Sequence, residues 1–222
     1  MRLILIGCEY SGTTTLARAI SDWARDTMGA EMTVHDHFKF PQVLHEEMTD
    51  REVEQLLALP EDTRASFQWH MMAYHVMPRA LREEDYILVG LHFDEAVYAP
   101  LYKGYGAPWN TPSVLPIARY TDTHIIGEVP DMVMALVKAS PEAIAGRMEE
   151  SPHKHSFLKK NDIEHVLHRF EEEWTMSTIR KKYITVDTTG ATVEESLASF
   201  VSQYEQYTPN SDRRRILARL GS

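Results

Sequence analysis

Cysteine is nearly absent from these 222 residues; Cys8 is the single one. No internal disulfide can form, which excludes the stapled secreted scaffolds and fits a reducing compartment. Long apolar runs are missing too. No stretch approaches the roughly 20 residues that span a bilayer, so the expectation is a soluble, cytoplasmic chain with no membrane partner. Basic charge is scarce, since 23 Lys and Arg against 33 Asp and Glu give a formal net charge of -10. Broad binding to nucleic acid needs a basic surface, so nucleic acid is not an expected partner. A small phosphorylated ligand in a locally positive pocket remains compatible with that charge.

What is present is an alternation of two patterns. Short apolar runs at Leu3–Ile6, Met32–Val34, Tyr86–Leu91, Val133–Val137 and Tyr183–Val186 predict buried parallel strands. Between the first two, Leu16, Ala17, Ile20, Trp23, Ala24 and Met28 recur at helical spacing and predict an amphipathic helix over Thr13–Met28, ended by Gly29. Thr49-Asp50-Arg51-Glu52 is a capping-box pattern opening a helix that Pro60 stops. A longer helix is predicted from Asp62 to Leu81, with Phe67, Met71, Tyr74 and Met77 as its core stripe. Residues 104–124, punctuated by Gly104, Gly106, Pro108, Pro112 and Pro116, read as a loop. Pro141-Glu142 opens a short helix, Asn161 caps another, and Val193–Tyr204 is the closing one. Strands alternating with helices predict a three-layer α/β domain whose parallel sheet is covered on both faces. That domain is assigned to residues 1–207, and residues 208–222, with Arg213-Arg214-Arg215, read as a basic, solvated tail.

The junction of the first strand and first helix reads "GCEYSGTTT", residues 7–15. It has the spacing G-x-x-x-x-G-K-[ST] of a phosphate-binding loop, with Thr13 where the lysine stands. Gly7 and Gly12 supply conformations that a Cβ resists. The backbone N–H groups of Tyr10, Ser11, Gly12, Thr13, Thr14 and Thr15 can face an anion, and the helix dipole adds to the attraction. Thr14 holds the hydroxyl position that binds Mg²⁺. The missing point charge is worth several kcal/mol in phosphoryl transfer, by order of magnitude. The loop therefore predicts nucleotide or phosphate binding, and chemistry only if another cation supplies that charge.

With these residues in place, the chain resembles the P-loop nucleoside and nucleotide kinases, the group of thymidylate kinase and the deoxynucleoside kinases. "ILVGLHFDEAVYAPLY" is similar to that family's third strand and acidic–arginine motif, with Asp94 and Glu95 on the acidic positions and Ala96 where an arginine stands. "VMALVKASPEAIAGRMEES" resembles the fourth strand, the Pro-Glu helix start and the arginine, here Arg147, that leads into the lid at about residues 150–162. "KKYITVDTTGATVEESL" resembles the last strand and helix. The resemblance implies a P-loop NTPase fold with strand order 2-3-1-4-5 and a helical lid. It also implies ATP and Mg²⁺ as cofactors, phosphoryl transfer to a small-molecule acceptor (nucleoside, nucleotide or similar), and room for a homodimer. Thr13 and Ala96 both remove positive charge near phosphates. Two other readings stay open: a non-catalytic nucleotide- or phosphate-binding protein, and a sulfotransferase-like enzyme, because "SGTT" is similar to the sulfate-donor loop of that P-loop group.

Further candidates follow from position. Asp36 lies at the end of the second strand, where ligands collect in open parallel sheets, and "HDHFKFP" resembles the uridine-kinase context of a catalytic Asp. Asp36, Asp94 and Glu95 are the candidates for proton acceptance or metal organisation. Gln68 loosely matches a base-reading glutamine, and Arg79 and Arg82 can reach an acceptor. His35, His37, His92 and His124 lack the spacing of a zinc motif and read as substrate contacts or surface positions. The lid concentrates His153, Lys154, His155, Lys159 and Lys160 in an acidic chain. Arg147 with Lys159 is the expected replacement for the missing lysine.

Overall fold

The structure, a computed structural model, describes residues 1–36, 49–76, 85–105, 117–179 and 182–221. The five apolar runs form one parallel sheet, β1 (Arg2–Ile6), β2 (Thr33–Asp36), β3 (Tyr86–Val89), β4 (Val133–Lys138) and β5 (Tyr183–Asp187), in the order β2-β3-β1-β4-β5. β1 is central, with Leu3 opposite Ile87 on one side and Val133 on the other. The helices are α1 (Thr13–Met28), α2 (Asp50–Leu57), α3 (Glu61–His75), α4 (Leu91–Tyr98), α5 (Ile117–Glu128), α6 (Pro141–Glu150), α7 (Ile163–Met176), α8 (Val193–Tyr204) and α9 (Asn210–Leu220).

Alternation along β1 creates two cores because successive side chains point to opposite faces. Leu3 and Leu5 pack with Leu16 and Ile20 of α1 and Phe200 of α8. Ile4 and Ile6 pack with Phe93 and Tyr98 of α4 and Val166 and Phe170 of α7. Helix boundaries follow local chemistry. Gly29 ends α1 in the left-handed region at φ 65°, and capping boxes open α2 at Thr49 with Glu52 and α8 at Thr192 with Glu195. Among the described residues, no helix is long and apolar enough to cross a membrane. The lid segment between α6 and α7 runs as irregular chain ending in a 3₁₀ turn, Lys160–Asp162.

Three expectations are corrected. Residues 117–128 are helical, not loop, while 106–116 of the same stretch lie outside the described residues. The inward side of α5 carries buried Thr121 and Asp122 beside Ile125, so apolar spacing passes over it. Asp122 is held by Arg119, by the Thr178 N–H and by His92 Nε2 at 2.8 Å; His92 is thus a core residue and not a surface one. On α3, Phe67 and Tyr74 are exposed whereas Gln68 and Met72 are buried, so the inward face runs through Arg64, Gln68 and Met72. The end of the α3 prediction at Leu81, and Arg79 and Arg82 with it, lie outside the described residues. The third correction concerns the basic tail. It forms α9, and Arg215 donates to both oxygens of Asp85, at 2.9 and 2.8 Å.

Burial alone would raise the Asp85 carboxyl, but the Arg215 guanidinium and the Met1 amine outweigh it and hold it below the usual carboxylate range. A depressed folded value stabilises above the unfolded value, near 3.9 for Asp, and the contribution is lost as pH falls through the folded one. Arg215→Met is therefore expected to lower the urea midpoint at neutral pH, with the gap to wild type closing below about pH 4. A gap constant across that range would show that Arg215 acts through packing alone.

Candidate nucleotide site

Gly7 to Gly12 connect β1 to α1, and the reason for each glycine differs. A Cβ on Gly7 would stand 2.5 Å from the Val137 carbonyl oxygen of β4, closer than packed atoms approach. Gly12 has open space where a Cβ would stand, the nearest atoms being Thr188 side-chain atoms at 3.8 Å, but it sits at φ 93°. The loop needs Gly7 for contact and Gly12 for conformation. Tyr10 adopts φ 65° without being glycine, an uncommon choice supported by contacts on every side. Its carbonyl accepts from Arg147, its hydroxyl accepts the His153 N–H, and its ring stacks on His153 at 4.0 Å between centroids.

No side chain caps α1, so the amides of Thr13, Thr14 and Thr15 face outward with the positive end of the helix dipole behind them. They open into a cleft of about 370 Å³ lined by Tyr10, Gly12, Thr13, Thr14, Arg147 and Thr188, among others. Arg147 is positioned by α6. Its Nη1 donates to the Tyr10 carbonyl at 2.9 Å and to Thr188 Oγ1 at 3.1 Å, and its Nη2 to the Thr188 carbonyl at 2.6 Å. All three acceptors are neutral, so the guanidinium reaches the cleft with its charge uncompensated by an ion pair among the described residues. Thr188, just after β5, also donates to the Ser11 carbonyl at 2.7 Å. It ties the phosphate loop to the loop after β5; "VDTTG" carried this signal, and sequence reading gave it no role.

The lid lysines are placed elsewhere. Lys154 pairs with Asp50 and Lys160 with Glu149. Lys159 lies over the Tyr102 ring at 5.7 Å and is not among the residues lining the cleft. The lid meets the loop through His153 on Tyr10 and through Glu9, whose carboxylate accepts the Phe157 N–H at 3.1 Å and the Ser156 hydroxyl. Cys8 beneath it is pushed up to about 12 by burial, with Glu9 and Asp94 adding to the shift and the Tyr98 hydroxyl opposing it, so it is no thiolate nucleophile.

On the opposite flank, Thr14 Oγ1 donates to Asp36 Oδ2 at 2.8 Å. A hydroxyl and a carboxylate side by side are hard oxygen donors that suit Mg²⁺, which takes few protein ligands and completes its shell with phosphate and water. Asp94 and Glu95 lie buried in α4, just after β3. Burial, then the charge of Asp36, raises the Asp94 carboxyl well above the usual range, with Glu9 and Glu95 adding and Lys103 opposing. Glu95 is bound by Lys103 at 2.7 Å. Lys103 lies in the π-helical turn Ala99–Lys103 that follows α4, and its pairing with Glu95 is a contact that sequence reading missed.

No protein-family model matches the sequence, and no curated protein is similar to it. Solved structures are similar in fold. Deoxyadenosine kinase from M. mycoides with bound dATP superposes with a TM-score of 0.58 at 14% identity, covering 92% of this chain and 100% of that one. The YorR protein from Bacillus subtilis, in complex with phosphorylated GDP, gives 0.57 at 15%, covering 94% and 99%. A gluconokinase from Sinorhizobium meliloti 1021 gives 0.52 at 12%, covering 92% and 91%. The fold is that of the P-loop kinases.

The role of Gly12 is testable apart from the rest. Gly12→Val is expected to remain folded, since no atom blocks its Cβ, while losing ATP binding because a β-branched residue resists φ 93° at a cost of about 1–2 kcal/mol and crowds the phosphate. Circular dichroism checks the fold and calorimetric titration the binding; wild-type affinity would remove the loop from the site.

Proposed function

We propose that the protein is a phosphotransferase that moves the γ-phosphoryl group of ATP to a small-molecule acceptor. The observation that carries this reading is the convergence on one cleft of the uncapped N-terminus of α1, the left-handed Gly12 and the Arg147 guanidinium. The α1 amides hold the phosphate oxygens, and Arg147, not a lid lysine, supplies the charge that Thr13 lacks. Thr14 and Asp36 would hold Mg²⁺, which would supply positive charge to offset that of the phosphates. Asp36 and Asp94 are the groups placed to receive a proton from the acceptor, and burial suits Asp94 to that task because a raised carboxyl is a stronger base. The structural similarity to deoxyadenosine kinase and gluconokinase supports the reading at the level of fold.

The test is ADP formation from ATP and Mg²⁺ against a panel of nucleosides, nucleotides and sugars, beside binding titrations with ATP and with 3′-phosphoadenosine 5′-phosphosulfate. Acceptor-dependent ADP formation is expected. ATP binding with no transfer would favour the non-catalytic reading, for which Thr13 is the motivating residue. Preference for the sulfate donor would favour the sulfotransferase.

A further inference from the structure

The nucleotide cleft opens on the β4–β5 side of the phosphate loop, toward Thr188 and Ser196. The group to be transferred therefore meets its acceptor on the other side, beyond β1 toward β2 and β3. Four carboxylates gather there: Glu9 in the loop, Asp36 at the end of β2, and Asp94 and Glu95 in α4. β2 sets Asp36 opposite Val89, and the Asp94 carboxylate packs over the following Gly90; the charges of Asp36, Glu9 and Glu95 all push the Asp94 carboxyl up. Two described cations stand against them. Lys103 is engaged by Glu95, and Arg64 of α3 acts on Tyr105, whose hydroxyl bonds Glu95. Of the carboxylates, Glu9 is occupied by the lid and Asp36 by Thr14. Asp94 Oδ1 differs, for it is buried with no hydrogen-bond partner among the described residues.

We infer that the acceptor is an uncharged hydroxyl compound, a nucleoside or a free sugar, and not a phosphomonoester. This rests on the phosphotransferase reading and deepens it. A buried carboxylate oxygen without a donor is costly, and an acceptor hydroxyl supplies the donor that Asp94 Oδ1 lacks. A phosphate dianion supplies only acceptors. It would also bring two negative charges to a flank where, among the described residues, four carboxylates already face two cations, and like charges in a desolvated site discriminate strongly. In the transfer step the acceptor oxygen bonds to the γ-phosphorus as the bond from phosphorus to the β,γ-bridging oxygen breaks. ADP departs with that electron pair, and the hydroxyl proton passes to the Asp94 carboxylate.

The experiment compares matched pairs with ATP and Mg²⁺: deoxyadenosine with its 5′-monophosphate, thymidine with its 5′-monophosphate, guanosine with its 5′-monophosphate, and glucose with glucose 6-phosphate. At least one parent hydroxyl compound is expected to exceed its phosphorylated partner in kcat/KM by about a hundredfold or more. In Asp94→Asn, kcat for the hydroxyl acceptor is expected to fall while that ratio narrows, whereas general structural damage lowers both members of the pair together. A monophosphate used as well as its parent, or a ratio unmoved in Asp94→Asn, overturns the inference and leaves phosphotransfer standing. No acceptor-dependent ADP with any compound overturns both.

Discussion

Glu95→Gln is expected to destabilise the fold by about 3–5 kcal/mol, which is large against a typical total of about 5–15 kcal/mol. Glu95 and Lys103 expose only 5% and 6% of their side chains and sit 2.7 Å apart. Removing the carboxylate charge leaves an ammonium buried and uncompensated, and the penalty is that of the stranded cation and not the worth of the pair. The combination Glu95→Gln with Lys103→Met is therefore expected to recover much of the loss, because it withdraws both charges from the interior. Urea midpoints of the two variants decide the matter. A double variant as unstable as the single one would mean that the carboxylate acts through other contacts, the Tyr105 hydroxyl among them. The same result bears on kinetics. A turnover defect in Glu95→Gln has to be corrected for unfolded protein before a catalytic role is read from it.

Arg147→Ala is expected to weaken ATP binding by about 1.5–3 kcal/mol, roughly ten- to a hundredfold, as the loss of a charge-assisted contact. Its guanidinium is anchored to three neutral oxygens around the phosphate loop, so the charge is oriented before any ligand arrives. Thr13 lines the same cleft. In the wild-type background Thr13→Lys is expected to be neutral or harmful, since two cations would compete for the same phosphate oxygens. In the Arg147→Ala background it is expected to restore affinity. Opposite signs for one substitution in two backgrounds amount to strong coupling in a double-mutant cycle. Additive effects would show that Arg147 does not replace the lysine. Lys159→Ala is the control, expected to leave ATP affinity near wild type because Lys159 lies over Tyr102 and away from the cleft.

Much of the frame was legible because its causes are local. The apolar run Leu3–Ile6, the periodic face of α1, Gly29 and the capping box at Thr49 act through neighbouring residues, and the elements appear where those signals stand. The phosphate loop was legible for the same reason: its spacing is its geometry. What failed, on α3 and α5, was the expectation that a buried face must be apolar. α5 turns Thr121 and Asp122 inward, with Asp122 satisfied by His92 and Thr178 on distant segments, and α3 buries Gln68.

Charge placement divides the same way. Sequence alone determined that a strand–helix junction has the spacing of a phosphate loop, that Thr13 stands where its lysine would and that basic residues cluster at residues 150–162. Only tertiary structure decided which of them reaches the cleft. Lys154 and Lys160 found carboxylates, Lys159 found a ring, and Arg147 found the loop itself. Arg215, far along a stretch that looked solvated, found Asp85 beside the first strand. The physical reason is the reach of each interaction: backbone preference and periodic burial are settled within a few residues, whereas an ion pair depends on which carboxylate the fold brings within about 4 Å.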